Sequence, residues 1–162
     1  MAAAEIIGTA IGVMLLIIVA YILTGSTLIS AETVANAQKD LTLQNEVRLK
    51  TDIAFTNGEK GIEGSMLNFS VTNTGNEVIS DFDHMDVYTY SSATSGFQHY
   101  SYDKYNLGNT GNWSITRIDN DFIHPNQLDP GEKMWVSATF SGSIPRGVQI
   151  VTSNGVYASA VV

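Results

Sequence analysis

The side chains best suited to chemistry in this sequence are three histidines, His84, His99 and His124, and two groups of carboxylates. Asp81, Asp83 and Asp86 surround His84, and Asp119 and Asp121 form a second pair. The histidines show neither the i, i+4 helical spacing of a zinc site nor an HExxH pattern, and surface positions are expected for all three. Carboxylates this close suit calcium, but the regular ligand spacing of an EF-hand loop is missing, and a solvated loop leading into a strand is the expected setting. Cysteine is absent, which removes disulfides and thiolate metal sites. No GxSxG elbow, glycine-rich phosphate loop or nucleophile–base arrangement is present. The expectation is a non-enzymatic chain without catalytic residues, cofactor or metal. Two Asn-x-Ser sequons, at Asn68 and Asn112, would be glycan acceptors in an exported domain. Ser91 to Gly111 is rich in Tyr, Ser, Gly and Asn, a composition found on adaptable binding surfaces and equally on ordinary exposed hairpins.

The elements that must carry these residues differ sharply along the chain. From Ile6 to Ile29 run twenty-four uncharged, mostly apolar residues, and Glu5 is the only charge before Glu32. About twenty residues of helix cross a hydrocarbon core, so residues 1–29 are read as a transmembrane helix. Its anchoring side chains are Ile6, Ile7, Leu15, Leu16, Ile17, Ile18 and Leu23, and Gly8 with Gly12 forms a GxxxG pair suited to close helix packing. The basic n-region of a cleaved signal is missing, which favours a permanent anchor. Lys39, Arg48 and Lys50 follow the helix, so a literal positive-inside count would leave the distal domain in the cytoplasm. Glu5 has two readings, a helix N-terminal acid favoured by the macrodipole or a subunit contact of the pilin kind.

Residues 30–49 contain neither Gly nor Pro, and Val34, Ala37 and Leu41 recur at helical spacing. The helix should therefore continue as a stalk, without the sustained heptad of a coiled coil. Beyond Lys50 the texture changes to short alternating runs: 51–56, 66–72, 86–90, 113–118, 134–140, 148–152 and 156–162. Asn57-Gly58 and Lys60-Gly61 should interrupt the first run, and Asn154-Gly155 reads as a two-residue type I′ hairpin. Seven or eight strands suit an immunoglobulin-like sandwich over residues 50–162, giving an all-β domain behind a long hydrophobic helix. A small barrel is the alternative. Twelve of the sixteen acidic residues and six of the eight basic ones lie from Lys50 onward. An acidic balance of this kind offers no footprint for nucleic acid and no attraction to anionic headgroups.

Five short motifs then follow in order: Leu49-Lys-Thr-Asp-Ile53, Val71-Thr-Asn-Thr-Gly75, Asp86-Val-Tyr88, Leu128-Asp-Pro-Gly-Glu132 and Thr152-Ser-Asn-Gly155. Behind an apolar helix and a polar stalk, this order resembles the archaeal flagellar (archaellum) accessory proteins of the F and G types, over almost the whole chain. The Leu-Lys-Thr-Asp-Ile stretch leans toward the F type. The resemblance implies a stator protein at the archaellum base, single-pass in the cell membrane, with its sandwich in the pseudoperiplasm. It implies binding to the surface-layer protein, to a partner stator protein and to further copies of itself, and this topology outweighs the charge count. Two other readings stand beside it: a filament-forming archaellin or type IV pilin-like subunit, and an anchored carbohydrate- or calcium-binding sandwich.

Overall fold

The computed structural model describes residues 2–91 and 96–162, so the tip of the Tyr- and Ser-rich stretch, 92–95, lies outside the described residues. The chain divides into two compact units, the first ending at Gln44 and the second spanning Asn45–Val162. Helix α1, Ala2–Lys50, runs through forty-nine residues without a break. No proline falls within it, and its Ser and Thr hydroxyls turn back onto the helix's own carbonyls, as Thr24 Oγ1 does to Ala20 O at 2.8 Å. Glu5 sits in the first turn, Arg48 and Lys50 in the last, each sign at the end the helix dipole favours. Thr51 closes the helix by donating its backbone N–H and its hydroxyl to Val47 O.

Eight strands make the second unit: β1 (Ile53–Glu63), β2 (Met66–Asn73), β3 (Asp86–Ser91), β4 (Gly96–Tyr102), β5 (Asn112–Asp119), β6 (Lys133–Thr139), β7 (Gly147–Val151) and β8 (Tyr157–Val161). Their hydrogen-bonded order is β1-β2-β6-β5-β4-β3-β7-β8. Two four-stranded layers result, β1-β2-β6-β5 and β4-β3-β7-β8, which is the strand arrangement of an immunoglobulin-like sandwich with one additional strand. The layers are stitched by a short parallel pairing of β4 with β5, Ser101 opposite Asn112 and Tyr102 opposite Trp113. At the opposite side β1 and β8 lie against one another, so the sandwich approaches closure.

Alternation explains the core. Along β2, Leu67, Phe69 and Val71 point inward, facing Ala138, Val136 and Met134 of β6 across the ladder. Val87 of β3, Tyr100 of β4, Trp113 of β5, and Val148 and Ile150 of β7 face them, and Ile53, Ile79, Phe82, Met85, Leu128 and Phe140 complete the interior. No disulfide braces it, and apolar burial takes that role.

Two local expectations are corrected and one choice between alternatives is made. β1 does not stop at Asn57-Gly58 but continues to Glu63, absorbing the glycine in an irregularity between Phe55 and Lys60 where Gly58 takes φ of 82°. For the stretch after Ser91, read as a long hairpin or loop, the structure has the hairpin: β4 pairs antiparallel with β3 from Val87 to Ser91. The last hairpin is not type I′. Gly155 alone takes a positive φ (81°) there, and Thr152 N–H donates to Val156 O across a three-residue loop.

Candidate functional site

Four of the five motifs, far apart in sequence, meet at the pole of the sandwich where α1 ends. Thr74 and Gly75 each donate a backbone N–H to Asp52 O at 3.0 Å, and Asn76 donates to Lys50 O at 2.7 Å. Asn73, fully buried, spends every polar atom here. Its Nδ2 donates to Glu77 O and Leu128 O, its Oδ1 accepts from Gly75 N–H, its N–H reaches Glu132 O and its carbonyl takes Gly131 N–H. Asn154 Nδ2 donates to Thr51 Oγ1 at 2.6 Å, which brings in the last hairpin. Gly75 is required by space: a Cβ there would collide with Asp52 N and Lys50 O. Four of the motifs that carry the resemblance thus form a polar clamp, structural in its work.

The carboxylates and histidines do not converge. His84 Nδ1 pairs with Asp81 at 2.8 Å, His99 Nε2 with Asp86 at 2.7 Å, and His124 Nδ1 with the buried Asp129 at 2.7 Å, at three separate places. The hydrogen bond to Asp81 raises the pKa of His84. Asp119 accepts from Trp135 Nε1 and Arg117, and both oxygens of Asp121 accept Asn126 N–H. Among the described residues no three such groups are placed to hold a metal ion. A cleft of about 530 Å³ beside the 3-10 turn Phe82–His84 is lined by side chains of both signs, Asp83, Asp121, Lys104 and Arg117.

The outer faces of the two layers contrast. On β1-β2-β6-β5 the charges are paired around Trp135: Arg117 lies 4.6 Å from its ring, Lys133 bonds Glu59 at 2.9 Å, and Ser70 also bonds Glu59. Those two hydrogen bonds hold the Glu59 carboxyl below its usual pKa. Both sequon asparagines lie on this layer, Asn68 within β2 opposite Gly61 and Ser137, and Asn112 at the first position of β5. Both sequon serines are buried, Ser70 on Glu59 and Ser114 on Asn106.

The face of β4-β3-β7-β8 is aromatic. Phe97, Tyr90, Gly147 and Val161 form one cross-strand row, and His99, Tyr88, Gln149 and Ser159 the next. Phe97 is 71% and Val161 79% exposed, while glycine at 147 leaves an open groove of about 410 Å³ between Tyr90 and Val161. Sequence reading misses this face. Its signal lies in β8, where Tyr157 and Val161 point out and the two alanines between them point in.

The anchor positions Ile6, Ile7, Leu15, Leu16, Ile17, Ile18 and Leu23 are exposed all around α1, and nothing lies within 4 Å of where a Cβ would sit on Gly8 or Gly12. Glu5 is exposed in the first turn. By length and composition α1 can cross a membrane, with none of its apolar window buried.

No family model matches the chain, and no curated protein matches it significantly. Among solved structures it is similar to the archaellum periplasmic stator protein FlaG of Sulfolobus acidocaldarius, with a TM-score of 0.52 and 22% identity over 69% of this chain and 99% of that one. A second similar structure is the archaellum periplasmic stator complex of FlaF and FlaG from the same organism, with a TM-score of 0.49, 23% identity, and coverage of 68% and 87%. The likeness is one of fold, and it falls on a stator protein.

Proposed function

We propose that this chain is a stationary, non-enzymatic part of an archaellum motor. In this reading α1 is a single-pass anchor in the cell membrane, with residues 1–29 in lipid and residues 30–49 as the stalk. The sandwich of residues 50–162 lies in the pseudoperiplasm at the archaellum base. There it binds the surface-layer protein and a partner stator subunit, and so gives the rotating filament something fixed to work against. What supports the reading most is that four of the five ordered motifs resembling the F and G proteins close one clamp, on a fold similar to that of the periplasmic stator protein FlaG. The test is binding of the purified full chain, in detergent micelles, to surface-layer protein and to a partner stator domain. Saturable binding to either is expected, and no binding to both overturns the reading.

Glu5 motivates a second reading, a filament subunit whose helix packs in a filament core. It sits at the start of an uninterrupted helix whose apolar side chains, among the described residues, are exposed. Fractionation separates the two. A stator stays with the cell envelope after shearing, whereas a filament subunit leaves with the filaments and carries a processed N-terminus.

A further inference from the structure

The sequence holds two Asn-Gly pairs, Asn57-Gly58 and Asn154-Gly155, and the fold treats them in opposite ways. In such a pair the asparagine amide can react with the chain's own backbone, because glycine has no side chain to hinder the approach. The reaction asks two things of the structure. The glycine N–H must be free to lose its proton, and the asparagine amide must be free to turn toward that nitrogen.

At Asn154 both are denied. Gly155 N–H donates to Thr152 O at 2.9 Å, a bond that favours the protonated nitrogen. The side chain is held at both ends: Nδ2 donates to Thr51 Oγ1 at 2.6 Å, and Oδ1 accepts from Thr152 Oγ1 at 2.6 Å. Thr51 and Thr152 are themselves buried. At Asn57-Gly58 the pairing that would hold the backbone lapses. β1 is in register with β2 up to Phe55 and again from Lys60, and both residues fall in the interval. Gly58 is exposed, takes φ of 82° and has nothing within 4 Å of where a Cβ would sit.

We propose that Asn57 deamidates spontaneously in the folded chain, whereas Asn154 is spared for as long as the polar clamp stays closed. The backbone nitrogen of Gly58 adds to the side-chain carbonyl carbon of Asn57, and the bond to the amide nitrogen breaks, releasing ammonia. Water then opens the cyclic imide at either carbonyl and leaves aspartate or isoaspartate. One water enters and one ammonia leaves, with no oxidant and no catalyst. The fold tolerates the product at Asn57. Isoaspartate lengthens the main chain by one carbon inside the lapse in register, so the pairs on either side need not shift. It also adds a negative charge two residues before Glu59, the carboxylate that Lys133 holds. The same event at Asn154 would replace the N–H given to Thr51 by an oxygen and untie the last hairpin from the end of α1. The inference stands apart from the stator reading, since it concerns the chain alone.

The test keeps the full chain in detergent micelles at mildly alkaline pH and samples it over time. Trypsin leaves Asn57 as the sole asparagine of the peptide Thr51–Lys60 and Asn154 as the sole asparagine of Gly147–Val162. The one-dalton gain of deamidation is therefore assigned by peptide mass, and isoaspartate by labelling with an isoaspartyl methyltransferase. Conversion at Asn57 should be at least about tenfold faster than at Asn154, the ratio reflecting how rarely the clamp opens. In guanidinium the two sites should convert at similar rates. Thr51→Val removes the hydroxyl that holds the Asn154 amide and should speed conversion at Asn154, with the rate at Asn57 unchanged as an internal control. Conversion at Asn57 no faster than at Asn154 in the folded chain overturns the proposal. So does an Asn57 that stays intact when folded yet converts in guanidinium. An Asn154 as slow in Thr51→Val as in the native chain refutes the clamp as its protector.

Discussion

Two side chains in the sandwich show how narrow the tolerances are. An alanine at Gly75 would press its Cβ into the backbone of Lys50–Asp52, where no flexible side chain can yield. Gly75→Ala should cost about 1–3 kcal/mol, the usual penalty of overpacking, read as a lower midpoint in urea unfolding. Glu59 offers a test by pH. Its folded pKa lies below the ordinary 4.5 because Ser70 and Lys133 hydrogen-bond the ionised form. A group depressed in this way contributes stability above pH 4.5 and loses it as the pH falls through the folded value. Glu59→Gln should be less stable than the native chain at pH 7, and the two should converge as the pH falls from 4.5 through the depressed folded value. A difference independent of pH would refute the assignment. At this scale the sequence is legible in type more than in role. His84, His99 and His124 read correctly as separate surface groups, but nothing in the run Val71–Gly75 announces that Asn73 is buried, because its partners lie as far away as Leu128.

Among the elements, those set by local pattern are readable and those set by neighbours are not. α1 follows from a run of apolar residues and a Pro-free stalk. β2 and β6 follow from alternation. Asn57-Gly58 should break β1, yet pairing with β2 resumes at Lys60 and carries the strand to Glu63, a tertiary gain that outweighs two glycines. β4 is hidden because its sequence is polar and aromatic without inward aliphatic residues; only Tyr100 in its middle is buried. The hairpin after β7 reads as the shorter type because Asn-Gly is its commonest signature. Asn154 instead keeps its backbone out of the left-handed region and uses its side chain on Thr51. Gly155→Ala should then cost about 1–2 kcal/mol, the strain of a Cβ at positive φ, in thermal or chemical unfolding. Because Gly155 has open space around it, this penalty should be purely conformational, and Gly155→Asn should recover part of it.

For the molecule as a whole, every residue of the buried apolar cluster belongs to the second unit, and none comes from α1. On the proposed anchoring by residues 1–29, a chain beginning at Ser30 should partition into the aqueous phase and the full chain into detergent. Its sandwich should unfold at the same denaturant midpoint as in the full chain, followed by the near-ultraviolet circular dichroism of the buried Trp113. Loss of that signal in the shortened chain would mean that the helix contributes to the fold of the domain.

The polar clamp has a mechanical meaning. A tug arriving along the backbone at Lys50 cannot peel β1 away from its first residue, because three amide groups on Thr74, Gly75 and Asn76 grip the chain upstream of the Ile53–Asn73 pair. Asn73 in turn is tied to Glu77, Leu128, Gly131 and Glu132, and Thr51 to Asn154, 103 residues further on. Tension is thus divided among strands of both layers at the point where it enters, so that bonds must fail together instead of one after another. A domain wired in this way resists being unzipped from its tether.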